Sequence, residues 1–140
     1  MTNRWQRVDY KNGVCGMEIF IEKAKLFLAA KEENRRHILD AKYESALSDF
    51  NAIKQMITEH YRPKRIYQWG SLLDRSLFRE FSDIDIAVEG VDDPEQFFQM
   101  FGEAEKLTKF PLDLLDIKKI ASEFSDIIKT KGRLVYERRD

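Results

Sequence analysis

Residues 17–62 hold neither glycine nor proline, and within them Leu39, Tyr43, Leu47, Phe50, Ile53 and Ile57 recur at steps of three and four. That period marks one face of an α-helix, so the segment is either a single long amphipathic helix or two helices broken near the polar run Lys31-Glu32-Glu33-Asn34-Arg35-Arg36. The stripe is read as core-facing, with a partner-binding surface as the alternative. About 40 helical residues extend roughly 60 Å, more than a small domain needs. The texture changes at Arg62-Pro63. The chain therefore divides into an N-terminal helical extension, 1–62, and a domain, 63–140.

Beyond Pro63, short strand-like runs alternate with helical stretches. Arg65-Ile66-Tyr67-Gln68-Trp69 is β-branched and aromatic and ends at Gly70-Ser71. Asp83-Ile84-Asp85-Ile86-Ala87-Val88 alternates with period two, which places its apolar side chains on one face and both aspartates on the other. Asp92-Asp93-Pro94-Glu95 reads as a helix start with an acidic cap and proline at the first helical position, leading into Phe97, Phe98, Phe101 and Leu107. Leu112-Asp113-Leu114-Leu115-Asp116-Ile117 is a third strand. Residues 120–131 are helical up to Gly132, and Leu134-Val135-Tyr136 forms a fourth strand. The order predicts an α+β fold with α/β-like alternation: a small mixed sheet with helices on one face, preceded by the long helical segment.

Composition removes several classes of function. The 24 basic and 25 acidic residues leave a net charge of −1, so no general electrostatic attraction to nucleic acid exists and any nucleotide must be held locally. No apolar run is long enough for a membrane span, and the first residues carry no apolar stretch of signal-peptide type. A lone Cys15 forms no internal disulfide and supplies no zinc site. The expectation is a cytoplasmic protein.

The chemistry concentrates in Trp69-Gly70-Ser71, Asp83-Ile84-Asp85 and Pro111-Leu112-Asp113. Aspartates at i and i+2 of a strand share a face, with Cβ atoms roughly 6–7 Å apart. Left unpaired, they raise each other's pKa; a divalent cation removes the repulsion. Mg²⁺ favours a few carboxylates together with phosphate oxygens and water, which suits an Asp-x-Asp pair joined by a third aspartate from another strand. Gly70 lets backbone approach a phosphate closely, and Ser71 adds a hydroxyl donor.

At these residues the chain resembles the nucleotidyltransferases of the DNA polymerase β superfamily. Their pattern is a hydrophobic residue, Gly-Ser, a spacer and Asp-hydrophobic-Asp-hydrophobic; Trp69-Gly70-Ser71, eleven residues and Asp83-Ile84-Asp85-Ile86 fit it, with Ser82 before the pair. The resemblance covers about residues 60–138, ends in a Gly132 to Glu137 stretch like that of small members, and extends to the minimal antitoxin halves of HEPN/MNT toxin–antitoxin pairs. It implies a nucleotidyltransferase fold and Mg²⁺-dependent transfer of AMP from ATP to a hydroxyl, foremost a tyrosine of a HEPN-type toxin partner. It further implies Asp83, Asp85 and Asp113 as catalytic and metal-binding residues of a two-metal site. Gly70, Ser71 and Arg75 take the nucleotide-binding roles. Many minimal members carry Arg-Ala-Arg-Gly after Gly-Ser, whereas this chain has Leu72-Leu73-Asp74-Arg75-Ser76. The alternatives are a non-catalytic module that neutralises a partner by occlusion, and nucleotidyl transfer to a small molecule such as an antibiotic. No Arg-x4-His-x-Tyr segment of the toxin kind is present.

The remaining chemistry-bearing residues take structural readings. His37 and His60 lie in the helical segment, away from the motif. Trp69 and the phenylalanines at 97, 98 and 101 are read as core, Asp116 as peripheral on the opposite strand face from Asp113, and Arg133, Arg138 and Arg139 as a solvated end.

Overall fold

The computed structural model describes residues 8–9 and 14–139, with side chains from Gly16 onward. The first seven residues, read above for a leader, and the Cys15 thiol lie outside the described part. Contacts divide the chain into two compact units, Met1–Ile38 and Leu39–Asp140. In the first, β1 (Val8–Asp9) and β2 (Val14–Cys15) pair antiparallel. Helix α1 (Gly16–Tyr61) follows; its residues from Leu39 onward belong to the second unit, and it is a single α-helix, unbroken through the polar run at 31–36. Among the described residues no helix is long and apolar enough to cross a membrane.

The second unit is built on a four-stranded mixed sheet. Its strands are β3 (Arg65–Trp69), β4 (Ile84–Glu89), β5 (Leu112–Asp116) and β6 (Arg133–Glu137), ordered β5-β4-β3-β6. The β4–β5 pair is parallel and the other two pairs are antiparallel. Helix α2 (Pro94–Glu105) connects β4 to β5, as a parallel pair requires, and α3 (Ser122–Lys131) connects β5 to β6. Two 3₁₀ turns, Gly70–Leu73 and Arg75–Leu77, fill the connection between β3 and β4. This is the α+β class expected, with the four strands where their patterns placed them.

Period-two alternation sorts the sheet into two faces. On one, Ile66, Ile84, Ile86, Val88 and Leu114 pack with Ala46, Phe50, Ile53 and Ile57 of α1 and with Met100 and Ala104 of α2. The α1 stripe from Tyr43 to Ile57 is therefore core, and its buried members are closed to a partner. On the other face, Tyr67, Ala87 and Ile117 pack with Ile128 of α3, and the Trp69 ring meets Phe124 edge-on at 5.4 Å. The helices thus cover both faces rather than one, because β4 is buried along its whole length and Ala87 needs apolar cover of its own. Gly132 stops α3 at a point where a Cβ would lie 2.4 Å from the Ile128 carbonyl oxygen and 2.8 Å from that of Gln68, so the turn from α3 onto β6 has room only for glycine.

Local signals explain the helix ends and faces. The Asp93 carboxylate accepts from the Glu95 N–H at 3.1 Å, and Pro94 occupies the first turn, the cap expected for α2. Along α2, Phe97, Met100, Phe101 and Ala104 form the inward stripe. Phe98 falls off that stripe and is 78% exposed, a departure from its reading as core. Arg65 crosses the sheet, donating to Glu89 and to Glu137 at 3.1 Å each, so that the buried Glu89 carboxylate is paired.

Ile53 is fully buried between helix and sheet. Ile53→Ala is expected to lower unfolding free energy by about 2–5 kcal/mol in urea titration, whereas Phe98→Ala is expected to stay within about 0.5 kcal/mol of wild type.

Candidate active site

Strand register assembles the site. Parallel pairing sets Asp85 of β4 level with Asp113 of β5. Antiparallel pairing sets Trp69, the last residue of β3, level with Asp85 on the other side. Gly70 and Ser71 therefore leave β3 beside Asp85, and one row across three strands carries the glycine-serine turn and two carboxylates. Asp83 stands at the mouth of β4, where the Ile84 N–H donates to the Pro111 carbonyl at 2.9 Å and ties the starts of β4 and β5 together. Carboxylate oxygens of Asp83, Asp85 and Asp113 all lie within 4.8 Å of one another. Asp85 is buried, Asp83 half-buried and Asp113 exposed.

Gly70 is fixed by this convergence. It has φ +80°, and a Cβ built on it would lie 2.1 Å from Asp85 Oδ2, so any side chain both strains the backbone and displaces the central carboxylate. The turn that follows is anchored by Leu72 and Phe78, both buried, and the Asp74 carboxylate accepts from the Ser76 N–H at 2.9 Å.

Electrostatics single out the same residue. Burial pushes the Asp85 carboxyl up to about 7, with the nearby Asp113 and Asp83 carboxylates adding to the rise. Three hard oxygen donors from two adjacent strands, one of them destabilised as an anion by its neighbours, fit a divalent cation of the Mg²⁺ kind, which would relieve the repulsion.

The structure thus brings together Asp83, Asp85, Asp113, Gly70 and, through the same turn, Ser71. It treats Arg75 differently. The Arg75 guanidinium pairs with Asp40 at 3.3 Å and with Glu44, both on α1, and stacks 4.8 Å from the centroid of the Tyr43 ring. These α1 partners were not read from the sequence; their i, i+3, i+4 spacing on one helix face was the available signal, but it does not point to a partner 31 residues away. Asp116, on the opposite face, accepts from the Lys118 N–H at 3.0 Å and has a structural part. His60 contacts Glu103 at 3.3 Å, and His37 pairs weakly with Glu33 on the same helix.

Comparison with known proteins agrees with this architecture. The profile of the family described as polymerase beta, nucleotidyltransferase, matches residues 51–140, and the chain belongs to that family. It is a nucleotidyltransferase by that membership. Among solved structures, a chain of a toxin–antitoxin complex with AMP-PNP matches with a TM-score of 0.54 and 22% identity, over 64% of this chain and 74% of that one. The MntA–HepT toxin–antitoxin structure matches with a TM-score of 0.50 and 20% identity, over 66% and 73%. A third match, with the same values, is the complex of a tri-AMPylated Shewanella oneidensis HEPN toxin with its MNT antitoxin. At these identities the structures establish a shared fold. No curated protein matches the chain in sequence.

Two outcomes follow from the geometry. Gly70→Ala is expected to weaken Mg²⁺ binding at least about tenfold in calorimetric titration, since about 1.4 kcal/mol of displacement suffices for that loss. In metal-free protein the raised Asp85 pKa means that the folded state keeps a proton which the unfolded chain has already lost. Stability is therefore expected to fall as pH rises from about 4 to about 7 and then to level off. Asp85→Asn is expected to flatten that slope in denaturant titrations across the range.

Proposed function

We propose that this chain transfers AMP from ATP, with Mg²⁺, to a hydroxyl of a partner protein, foremost a tyrosine of a HEPN-type toxin, and so acts as the antitoxin of a pair in the cytoplasm. The observation that carries the reading is the row formed by Gly70–Ser71, Asp85 and Asp113, with Asp83 completing the carboxylate cluster. Membership of the nucleotidyltransferase family supports the reaction type. The AMPylated HEPN toxin held by the antitoxin in one of the fold relatives supports the choice of acceptor.

Asp83, Asp85 and Asp113 would hold Mg²⁺, which, when bound, offsets negative charge on the phosphates. The chain's own groups do the rest. The turn after β3 offers backbone N–H groups and the Ser71 hydroxyl to the β- and γ-phosphates, orienting the α-phosphate toward the carboxylates. Asp113, the exposed member, accepts the proton of the incoming hydroxyl in this reading. The hydroxyl oxygen bonds to the α-phosphorus, the bond from that phosphorus to the bridging oxygen breaks, and pyrophosphate leaves with the electron pair. The acceptor keeps AMP as a phosphodiester.

The test is incubation of the protein with Mg²⁺, ATP and the product of the neighbouring gene, followed by intact-mass analysis of both chains. The expected result is a partner heavier by whole AMP units. Asp83→Ala and Asp85→Ala are expected to reduce the transfer rate about a thousandfold, the scale of several kcal/mol of lost charge stabilisation. A tight complex without transfer would instead favour neutralisation by occlusion, and transfer undiminished in both variants would reject the assignment.

A further inference from the structure

We propose that Arg75 is a positioning residue held by α1, and that the Asp40, Tyr43 and Glu44 face of that helix is a working part of the nucleotide site. The proposal rests on the nucleotidyltransferase reading of the Gly70–Ser71 turn. Asp40, Tyr43 and Glu44 stand at i, i+3 and i+4 and so share one face of α1. All three act on the connection between β3 and β4. Asp40 forms an ion pair with one terminal nitrogen of Arg75, and Glu44 accepts a hydrogen bond from the other. The Tyr43 ring lies under the guanidinium, its hydroxyl donates to the Leu72 carbonyl at 3.4 Å, and its edge meets the Phe78 ring at 5.5 Å. One helix face thus grips the turn at residues 72, 75 and 78, immediately after the segment that offers donors to phosphate.

Charge argues against a phosphate contact for Arg75. A guanidinium satisfied by two carboxylates carries no surplus positive charge toward a triphosphate; the local sum of Arg75, Asp40 and Glu44 is negative. Its side chain is half exposed, and a single exposed ion pair contributes little. Here two pairs and a stacked ring converge on one group, the arrangement in which such contacts act together. The grip is also firmly based, because Ala46, Phe50 and Ile53, the next turns of the same helix, are buried against the sheet. The family match begins at residue 51, so the helical half of this clamp lies N-terminal to the matched residues.

The experiment uses the full chain and two readouts: hydrogen exchange of the amides at 71–78 without nucleotide, and calorimetric titration with Mg²⁺ and ATP. Arg75→Gln and the Asp40→Asn/Glu44→Gln pair are each expected to speed exchange over 71–78 and to weaken ATP binding by about fivefold. The triple variant is expected to be no worse than either, since each removes the same clamp. Tighter ATP binding in Asp40→Asn/Glu44→Gln, beside weaker binding in Arg75→Gln, would overturn the proposal and make Arg75 a phosphate ligand that α1 restrains. Unchanged exchange in both variants would overturn it as well. If the wild-type chain binds no ATP, the parent reading fails, and the exchange comparison alone decides whether the clamp exists.

Discussion

Three carboxylates gathered within 4.8 Å repel one another, and the fold is organised around holding them there. Two features keep the cluster in place. Ladder hydrogen bonds of β3, β4 and β5 set the spacing of the backbone from which Asp85 and Asp113 project. Large apolar residues on the opposite face of the same strands, Ile84, Ile86 and Leu114, are buried against α1 and α2. The hydrophobic side of the sheet thus stabilises the strands whose other side carries a local electrostatic cost, partly met by a proton on Asp85 and open to relief by a cation.

Much of the fold was legible because alternation and helical periodicity report burial directly. The four strands of the sheet, the Asp93-Pro94 start of α2 and the stop at Gly132 each depend on a few adjacent residues, and local signals of that kind survive in a single sequence. The continuity of α1 through residues 31–36 was not legible, since a polar run is compatible with an exposed helix or with a break. Nor was the second helical layer: that α3 crosses to the far face follows from the apolar character of Ala87 and Ile117 together with the direction of a connection, and only the first is written locally. Phe98 erred because the inward stripe of α2 runs through Phe97, Met100, Phe101 and Ala104, and the spacing of the three phenylalanines alone does not say on which side of Phe97 that stripe is centred.

The site divides along the same line. Asp83 and Asp85 could be placed on one face from their spacing alone. Asp113 could be named as a third carboxylate on a later strand, but its place beside the pair could not be read locally, because the register that sets it level with Asp85 is a property of strand pairing across an intervening helix. The partners of Arg75 could not be reached at all. Nothing in the spacing of Asp40 and Glu44 points beyond their own helix, and only the tertiary arrangement pairs them with an arginine 35 and 31 residues further along the chain.

The placement of β6 has a kinetic consequence. Arg65 opens the inner strand β3, and its partner Glu137 is 72 residues further along the chain. β3 can pair with β4 early, through the short connection that carries Ser71 and Arg75, but its other edge stays uncovered until the chain has closed a loop of nearly the whole domain. High contact order of this kind slows folding and leaves an unpaired strand edge exposed meanwhile. The half of the sheet bearing the carboxylates is thus assembled from near neighbours, while the cooperativity of the whole waits on its most distant pairing.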